Sequence, residues 1–469
     1  MRRRLAPGGL LLALLLAAPS GALARRHGVH VGHDRGGRPG PTAAQLTPLL
    51  DGLARAEPLV CTLAADTVVA GLSFGPRANL PGVDAQARTL ERALGGPVTA
   101  PDAVALLAGR LGDPSACVRR VAGELLGRTD SPEAFARLRT ALASSNAGER
   151  QAAALGLGER GDPSVRESLE RALRDPDPEV AATAAWALGA IEDARAVPAL
   201  REASGHADAR VRRAAVAALG DLSDPRAVPL LVDRLKDGDP GVRRSAADSL
   251  GLLEDREATP ALLGRLGDSE ADVRLAAVGA LARLEDARAF DGLVRALADA
   301  DPRVRAEAAE AIGELEDARA LEPLVRALRD ADAQVRRAAA RSLGHLESQR
   351  AAGPLAGVLG DVDAEVRRQA AESLGHLELS QAPARLSTAL RDADRQVRAA
   401  AAQTLGDIRD PETAAALSAA LKDEAREVRR AVTRALARLG TPAARQALRT
   451  AMADSDPEVR REAVRALGR

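Results

Sequence analysis

The sequence predicts an all-α fold, a right-handed α-solenoid of about twelve helical hairpins that share one repeat length of thirty-one. Valine recurs with this period from Val180 to Val459, and a leucine stands twenty positions after each of these valines that has a complete repeat. We call the valines anchors; Val118 and the degenerate Glu149 extend the series backwards. Aromatic residues make up only 1% of the chain, so its core must consist of Ala, Leu and Val, which let helices approach closely. One hairpin cannot bury its apolar face alone, so the copies must stack.

Residues 1–24 are predicted to be a signal peptide. Met1–Arg4 carry positive charge, Leu10–Ala18 are apolar, and Ala22-Leu23-Ala24 form the small-residue pattern that signal peptidase cleaves. The apolar stretch is too short to span a bilayer, and no later segment is long enough to anchor the chain. We therefore expect cleavage after Ala24 and an exported protein, periplasmic or secreted, without membrane insertion.

Residues 25–42 are predicted to be a disordered linker, because Gly, Arg, Pro and His dominate their composition. Cleavage after Ala24 would make His27 the third residue of the mature chain. That position resembles the amino-terminal copper and nickel motif, in which an amine, two amides and an imidazole bind the metal in a plane. The alternative is a solvated tail whose histidines have no function.

Residues 43–112 are predicted to be an irregular amino-terminal cap repeat with an inserted loop. Residues 57–71 resemble a first helix, residues 99–111 resemble a second helix, and residues 72–98 would be the insertion between them. On this interpretation Cys61 and Cys117 lie on adjacent first helices and form a disulfide in an oxidising compartment. If the insertion is instead a full extra repeat, the two sulfurs are too far apart to bond.

Residues 113–469 are predicted to be the repeat solenoid, ending in a single capping helix. In each repeat the anchor and the residues four and eight after it share one face of a first helix. Asp-Pro pairs such as Asp177-Pro178 and Asp301-Pro302 would begin that helix. A left-handed helix end is predicted at the glycine nine residues after the anchor. Examples are Gly189, Gly220, Gly251 and Gly313.

Charged residues form two regular rows. Arginine follows the anchor directly in eleven of twelve repeats, and aspartate stands five residues before the anchor in ten of twelve. We call them ladder arginines and ladder aspartates, and expect them to meet within or between repeats as a partly buried structural ladder. The alternative is an arginine strip that binds phosphates or acidic peptides. The ladder arginines are Arg119, Arg150, Arg212, Arg243, Arg274, Arg305, Arg336, Arg367, Arg398, Arg429 and Arg460.

Two features are predicted to lie on the outside of the first helices. Arginine occupies the second position after the anchor in seven repeats, Arg368 and Arg430 among them, where it forms a solvated face or recognises an acidic partner. Trp186, six residues after its anchor, lies off the core stripe. It either shields the packed helices or contacts a partner.

The repeats, such as Asp299–Asp330, resemble HEAT repeats, specifically the short subtype of the phycobilisome bilin lyases. The resemblance covers residues 113–469 and implies an armadillo-like helical scaffold that binds proteins. Members of the family also include enzymes, among them the di-iron deoxyhypusine hydroxylase, whose repeats carry adjacent His-Glu pairs. This chain has no His-Glu dipeptide. His345, Glu347, His376 and Glu378, expected in equivalent loops between helices, are only weak metal-ligand candidates.

Composition and motifs argue against several classes of partner and of catalytic site. Lys plus Arg and Asp plus Glu both number 66, and a net charge of zero argues against a nucleic-acid or anionic-membrane binder. The sequence contains no phosphate loop, nucleophile elbow or zinc spacing. We therefore expect a monomeric, non-catalytic scaffold without a cofactor whose partner is another protein. The alternatives are a metal-dependent enzyme similar to deoxyhypusine hydroxylase and a protein similar to the bilin lyases.

Overall fold

The computed structural model describes residues 40–55 and 98–468. Within those ranges the chain forms 25 α-helices and no strand, which confirms the all-α solenoid prediction. None of these helices is both long and apolar enough to cross a bilayer. The predicted signal peptide, most of the predicted linker with His27, and Cys61 lie outside the described residues. The chain divides into two compact units, Met1–Leu253 and Glu254–Arg469.

The first unit contains eleven described helices. In chain order they are α1 (Ala43–Ala54), α2 (Pro101–Gly109), α3 (Ala116–Gly127), α4 (Pro132–Ala141), α5 (Ala147–Arg160), α6 (Arg166–Ala172), α7 (Pro178–Ala190), α8 (Val197–Ala203), α9 (Ala209–Asp221), α10 (Val228–Arg234) and α11 (Pro240–Leu253).

The second unit contains the other fourteen described helices. They are α12 (Thr259–Arg265), α13 (Ala271–Leu284), α14 (Phe290–Ala296), α15 (Pro302–Glu314), α16 (Leu321–Ala327), α17 (Ala333–His345), α18 (Ala352–Val358), α19 (Ala364–Gly375), α20 (Ala384–Ala389), α21 (Arg395–Ile408), α22 (Ala414–Ala420), α23 (Arg426–Leu439), α24 (Pro442–Ala451) and α25 (Pro457–Leu467).

Each unit is a two-layer stack of hairpins. From α3 onwards the odd-numbered helices are the first helices and the even-numbered ones are the second helices. In each unit a first helix packs lengthwise on the next first helix, as α7 does on α9 and α15 does on α17. It also packs on the second helix of its own repeat. The anchors and the leucines twenty positions after them are buried between the layers, as Val304 and Leu324 show.

The first helices begin as the sequence predicts. The carboxylate of Asp177 accepts a hydrogen bond from the backbone N–H of Glu179, and Asp301 does the same for Arg303. Proline occupies the first helical position in both. A backbone N–H at this position would have no acceptor within the helix, so its absence costs no hydrogen bond. Most of the second helices begin with one turn of 3₁₀ helix, such as Ala318–Ala320, capped by an aspartate such as Asp317.

The prediction of left-handed glycine caps is wrong. Gly189, Gly220, Gly251 and Gly313 lie inside the first helices. Gly189, Gly220 and Gly313 serve close packing: a Cβ on Gly189 would lie 2.9 Å from the Cα of Ala218, and one on Gly313 would lie 2.5 Å from the Cβ of Ser342. Glycine at this position therefore lets successive first helices approach.

The left-handed residue comes three positions later, twelve residues after the anchor. Gly161 and Gly440 occupy this position in two repeats. In eight others a non-glycine residue adopts a φ between 45° and 58°. These residues are Glu192, Ser223, Glu254, Glu285, Glu316, Glu347, Glu378 and Arg409.

The amino-terminal helix α1 was not predicted. It buries Leu46, Leu50 and Leu53. It is also joined to α2, because the backbone N–H of Ala43 donates to the Asp102 carboxylate at 2.9 Å. Helix α2 lies within the predicted second helix of the cap repeat. The predicted first helix at residues 57–71 lies outside the described residues.

Candidate interaction surface

The ladder arginines join one repeat to the next. Arg305 donates from Nε and Nη2 to the two carboxylate oxygens of Asp330, both at 2.8 Å, and Asp330 is the ladder aspartate of the following repeat. Arg305 also donates from Nη1 to the backbone carbonyl of Asp299 in its own repeat at 2.9 Å. One guanidinium thus connects two inter-repeat turns through a bidentate, charge-assisted contact.

The same bidentate contact is made by eight pairs whose two members lie in the same unit, two pairs in the first unit and six in the second. The sequence separation of the partners is the same in every pair, and the arginine side chain is between 9% and 17% exposed. The pairs are Arg150–Asp175, Arg212–Asp237, Arg274–Asp299, Arg305–Asp330, Arg336–Asp361, Arg367–Asp392, Arg398–Asp423 and Arg429–Asp454.

Three other ladder arginines also bind the turn before their own helix. Arg119, Arg243 and Arg460 each donate from Nη1 to two backbone carbonyls of the turn before their own helix. The repeat that lacks a ladder arginine has Ala181 at that position, and the ladder aspartate expected opposite it is replaced by His206. Nδ1 of His206 accepts the backbone N–H of Asp208 at 2.9 Å, as ladder aspartates do in other turns. The two departures from the pattern therefore compensate each other.

The ladder keeps its carboxylates ionised. Burial raises the pKa of Asp330, but the hydrogen bonds from Arg305 and from the Asp332 backbone, with the charge of Arg305, outweigh burial and lower it. At Asp299 the hydrogen bond from Arg274 is the largest influence, and the pKa is again lowered. Because the guanidinium of a paired ladder arginine is used by one carboxylate and two carbonyls, it has little capacity left for an outside phosphate.

The opposite side of the first helices faces solvent. We call the positions two, six and ten after each anchor the outer face; on α7 they are Ala182, Trp186 and Ala190, and all three are partly or fully exposed. Trp186 is 39% exposed. Its ring lies against Gly158 of α5, because a Cβ on that glycine would come within 2.6 Å of the ring. The tryptophan is thus packed along one edge while its remaining surface faces solvent.

The outer-face arginines two residues after the anchor are mostly engaged by acids. Arg120 pairs with Glu124 at 2.8 Å, and Arg368 pairs with Glu365 and Glu372, both at 2.6 Å. Arg430 pairs with Glu458 of the last helix. Charge on this face is therefore largely balanced within the protein.

One pocket of about 310 Å³ opens on the outer face of the second unit, between α17 and α19. His345, the last residue of α17, and His376, which follows the last residue of α19, both line it. Their ring centroids are 6.4 Å apart, with an edge-to-face geometry. The prediction that both histidines lie in loops is wrong for His345.

Glu347 and Glu378 do not line this pocket; each is exposed and left-handed in the turn that follows. Across residues 40–55 and 98–468, no three His, Cys, Asp or Glu side chains are grouped so that they could hold a metal ion. The structure thus brings the two histidines together without the glutamates. Cys117 lies on α3, and the Cys61–Cys117 disulfide stays a prediction.

The pocket was not predicted from the sequence. Arg341, Gln369, Glu372 and Ser373 line it together with Arg368. The signal was present, because positions six and ten after the anchor hold Arg341 and His345 in one repeat and Glu372 and His376 in the next. Aligning the repeats in columns would have placed these side chains together.

A family model described as HEAT repeats matches residues 138–208, 202–282, 265–334, 321–394 and 382–468. Among solved structures, importin β is 15% identical, with a TM-score of 0.60 over 90% of this chain and 69% of that chain. Yeast importin β (Kap95p) is 14% identical, with a TM-score of 0.55 over 90% and 68%. The CpcE–CpcF complex of phycocyanin lyase from Nostoc is 27% identical over 50% and 91%, but its TM-score of 0.32 supports no argument. No curated protein matches the chain.

Proposed function

This chain belongs to the HEAT-repeat family, and from that premise we propose that it is a monomeric, non-catalytic scaffold that binds another protein along its outer face. Family solenoids typically serve as protein-interaction scaffolds. The similarity to importin β concerns the fold alone, and we infer no partner from it.

The arrangement of charge supports this proposal. The ladder arginines are turned towards the inter-repeat turns, where they hold successive repeats together. The outer face, in contrast, changes from repeat to repeat: it carries Ala182, Trp186 and Ala190 on α7, and Arg337, Arg341 and His345 on α17. The repeats thus share one ladder but differ in their outer-face residues. Such variation allows a repeat scaffold to be specific for a particular partner.

The observation that carries the proposal is Trp186. It is the only tryptophan of the chain, and it is 39% exposed on an outer face of alanines. Partly exposed tryptophan on a rigid helix gives a large apolar contact area at little cost in conformational entropy, which is why it is common at binding hot spots.

The test is affinity capture of partners from the envelope fraction of the native source, followed by mass spectrometry. The bait is the purified chain or one of three variants. We expect Trp186→Ala to lose the main captured protein and Trp186→Phe to keep it. Val362→Ser, which alters a turn valine that is 93% exposed, should capture as the wild type does. Equal capture by all four baits would contradict a partner site at Trp186.

Catalysis is tested separately by metal analysis of the purified chain. The scaffold proposal expects no stoichiometric iron, and iron bound at one or more equivalents would contradict it in favour of a deoxyhypusine hydroxylase-like enzyme. We also propose that the protein acts after export. Mass spectrometry of the mature protein should find Arg25 at its amino terminus, whereas a chain that retains Met1 would contradict export.

A further inference from the structure

The pocket between α17 and α19 presents hydrogen-bond donors from two repeats to one point on the outer face. Arg341 and His345 come from α17, whereas Arg368 and Gln369 come from α19 and His376 from the position after it. Gly344 and Ser373 lie at the contact between the two helices, since a Cβ on Gly344 would be 2.8 Å from the Cβ of Ser373. The close helix approach that builds the stack thus also brings these donors together.

One of these donors is buried without an acceptor. Arg368 uses Nη1 for Glu372 and Nη2 for Glu365, both at 2.6 Å. Its Nε is buried and has no hydrogen-bond partner among the residues that the structure describes. A buried N–H without an acceptor costs about 1–3 kcal/mol, and a turn of the Arg368 side chain towards the pocket would let this Nε meet an acceptor from outside the chain.

Three glutamates pair with the two arginines of the pocket. Glu365 and Glu372 accept from Arg368, and Glu310 of α15 accepts from Arg341 at 3.3 Å. Only Glu372 of these three lines the pocket, beside both arginines, and the two imidazoles add N–H donors rather than negative charge. Gln369 lies beside them, donating from Nε2 to the Ser373 hydroxyl at 3.4 Å.

From this geometry we propose that the pocket binds an oxyanion, a carboxylate or phosphate group presented by an acidic segment of the protein partner. The inference rests on the proposed scaffold function and names the chemistry of one of its contacts. Arg341 and Arg368 bind the negative oxygens, and the histidines close the side of the pocket. A volume of about 310 Å³ is at the lower end of the range for small-ligand sites, and fits one such group.

The test is a titration of the full chain at constant ionic strength, monitored by NMR of its histidine side chains. The probes are inorganic phosphate, a glutamate-rich peptide and the same peptide with one phosphoserine. We expect the His345 and His376 resonances, assigned with His345→Gln and His376→Gln, to shift saturably with at least one probe. The probe that binds most tightly identifies whether the oxyanion is a carboxylate or a phosphate.

Two arginine variants and a matched control decide the result. Arg341→Gln and Arg368→Gln should each weaken binding by about tenfold, the loss expected from one charge-assisted contact. Arg430→Gln is the control, because Arg430 occupies the same repeat position as Arg368 and also has a buried Nε that makes no hydrogen bond within the described chain, but has no histidine pair beside it. Its affinity should equal that of the wild type.

Shifts that stay linear in probe concentration would overturn the proposal. Saturable binding that Arg341→Gln and Arg368→Gln leave unchanged would also overturn it, and circular dichroism confirms that each variant is folded. Failure of this site is distinguishable from failure of the scaffold function, since partner capture through Trp186 is measured independently in the other unit.

Discussion

Replacing Arg305 with methionine tests the ladder at one rung. The change removes two bonds to Asp330 and two to the backbone carbonyls of Asp299 and Ala300, and leaves the Asp330 carboxylate, whose side chain is 15% exposed, without its cation. Losing one partner of a fully buried pair costs about 3–5 kcal/mol. With the partial exposure of this pair we expect about 2–4 kcal/mol, which lowers the Tm of a unit of this size by roughly 5–15 °C.

Thermal and urea unfolding followed by circular dichroism measure this loss. The matched control is Arg303→Met on the same helix, because Arg303 is 58% exposed and forms only surface ion pairs with Asp301 and Asp272. Surface pairs contribute about 0–1 kcal/mol, so this variant should melt close to the wild type.

A double variant makes the test sharper. The chain itself replaces one rung with Ala181 and His206, so Arg305→Ala with Asp330→His should be more stable than Arg305→Ala alone, because no unpaired carboxylate remains. If Arg305→Met melts like the wild type, or if the losses of the double variant simply add, Arg305 and Asp330 are not energetically coupled and the ladder does not stabilise the stack.

Four further predictions follow from the packing and the charges. Gly313→Ala should destabilise the chain by about 1–3 kcal/mol, because its Cβ would overlap Ser342; urea unfolding measures this, and an unchanged midpoint would refute the close-packing role. Glu316→Gly should stabilise by about 0.5–1 kcal/mol in the same assay, because glycine adopts the left-handed φ of 51° without strain; a loss of stability would contradict this. The stability contributed by the ladder aspartates should be constant above the unfolded aspartate pKa of about 3.9 and fall as pH drops through their lowered pKa values; unfolding that is independent of pH between 5 and 2 would contradict the ladder. A thiol assay on oxidised, denatured protein should find no reactive thiol if Cys61 and Cys117 are bonded, and two reactive thiols would exclude the bond.

The repeat made most of the fold predictable. A period of thirty-one with valine, alanine and leucine at helical spacing specifies two helices and their buried faces, and the Asp-Pro pairs specify where first helices begin. The glycine nine after the anchor was misassigned because glycine suits both a left-handed cap and a close helix contact. The neighbouring helix decides between these roles, and its surface is visible only in three dimensions.

Helix α1 could not be predicted from the repeat because it precedes the periodic segment. Its three leucines, Leu46, Leu50 and Leu53, have helical spacing, but the pattern was too short to identify without α2 beside it.

The candidate site was predictable only in part. The two charge rows specify the ladder, since an arginine and an aspartate at fixed positions recur together. The pocket between α17 and α19 depends on which side chains of adjacent repeats project from the same helix side. One repeat alone does not show this, because it takes a comparison of equivalent positions in adjacent repeats together with the contact between their first helices.

Exchange of the ladder arginine side chains with water distinguishes a structural ladder from a ligand-binding strip. NMR of the full chain labelled at arginine resolves side-chain Nε–H groups. A structural ladder predicts a set of Nε–H signals that exchange slowly with water, do not shift on addition of phosphate, and lose one member in Arg305→Met. Ladder signals that exchange as fast as those of exposed arginines, and that shift saturably with phosphate, would show an arginine strip that binds ligands and would exclude a structural ladder.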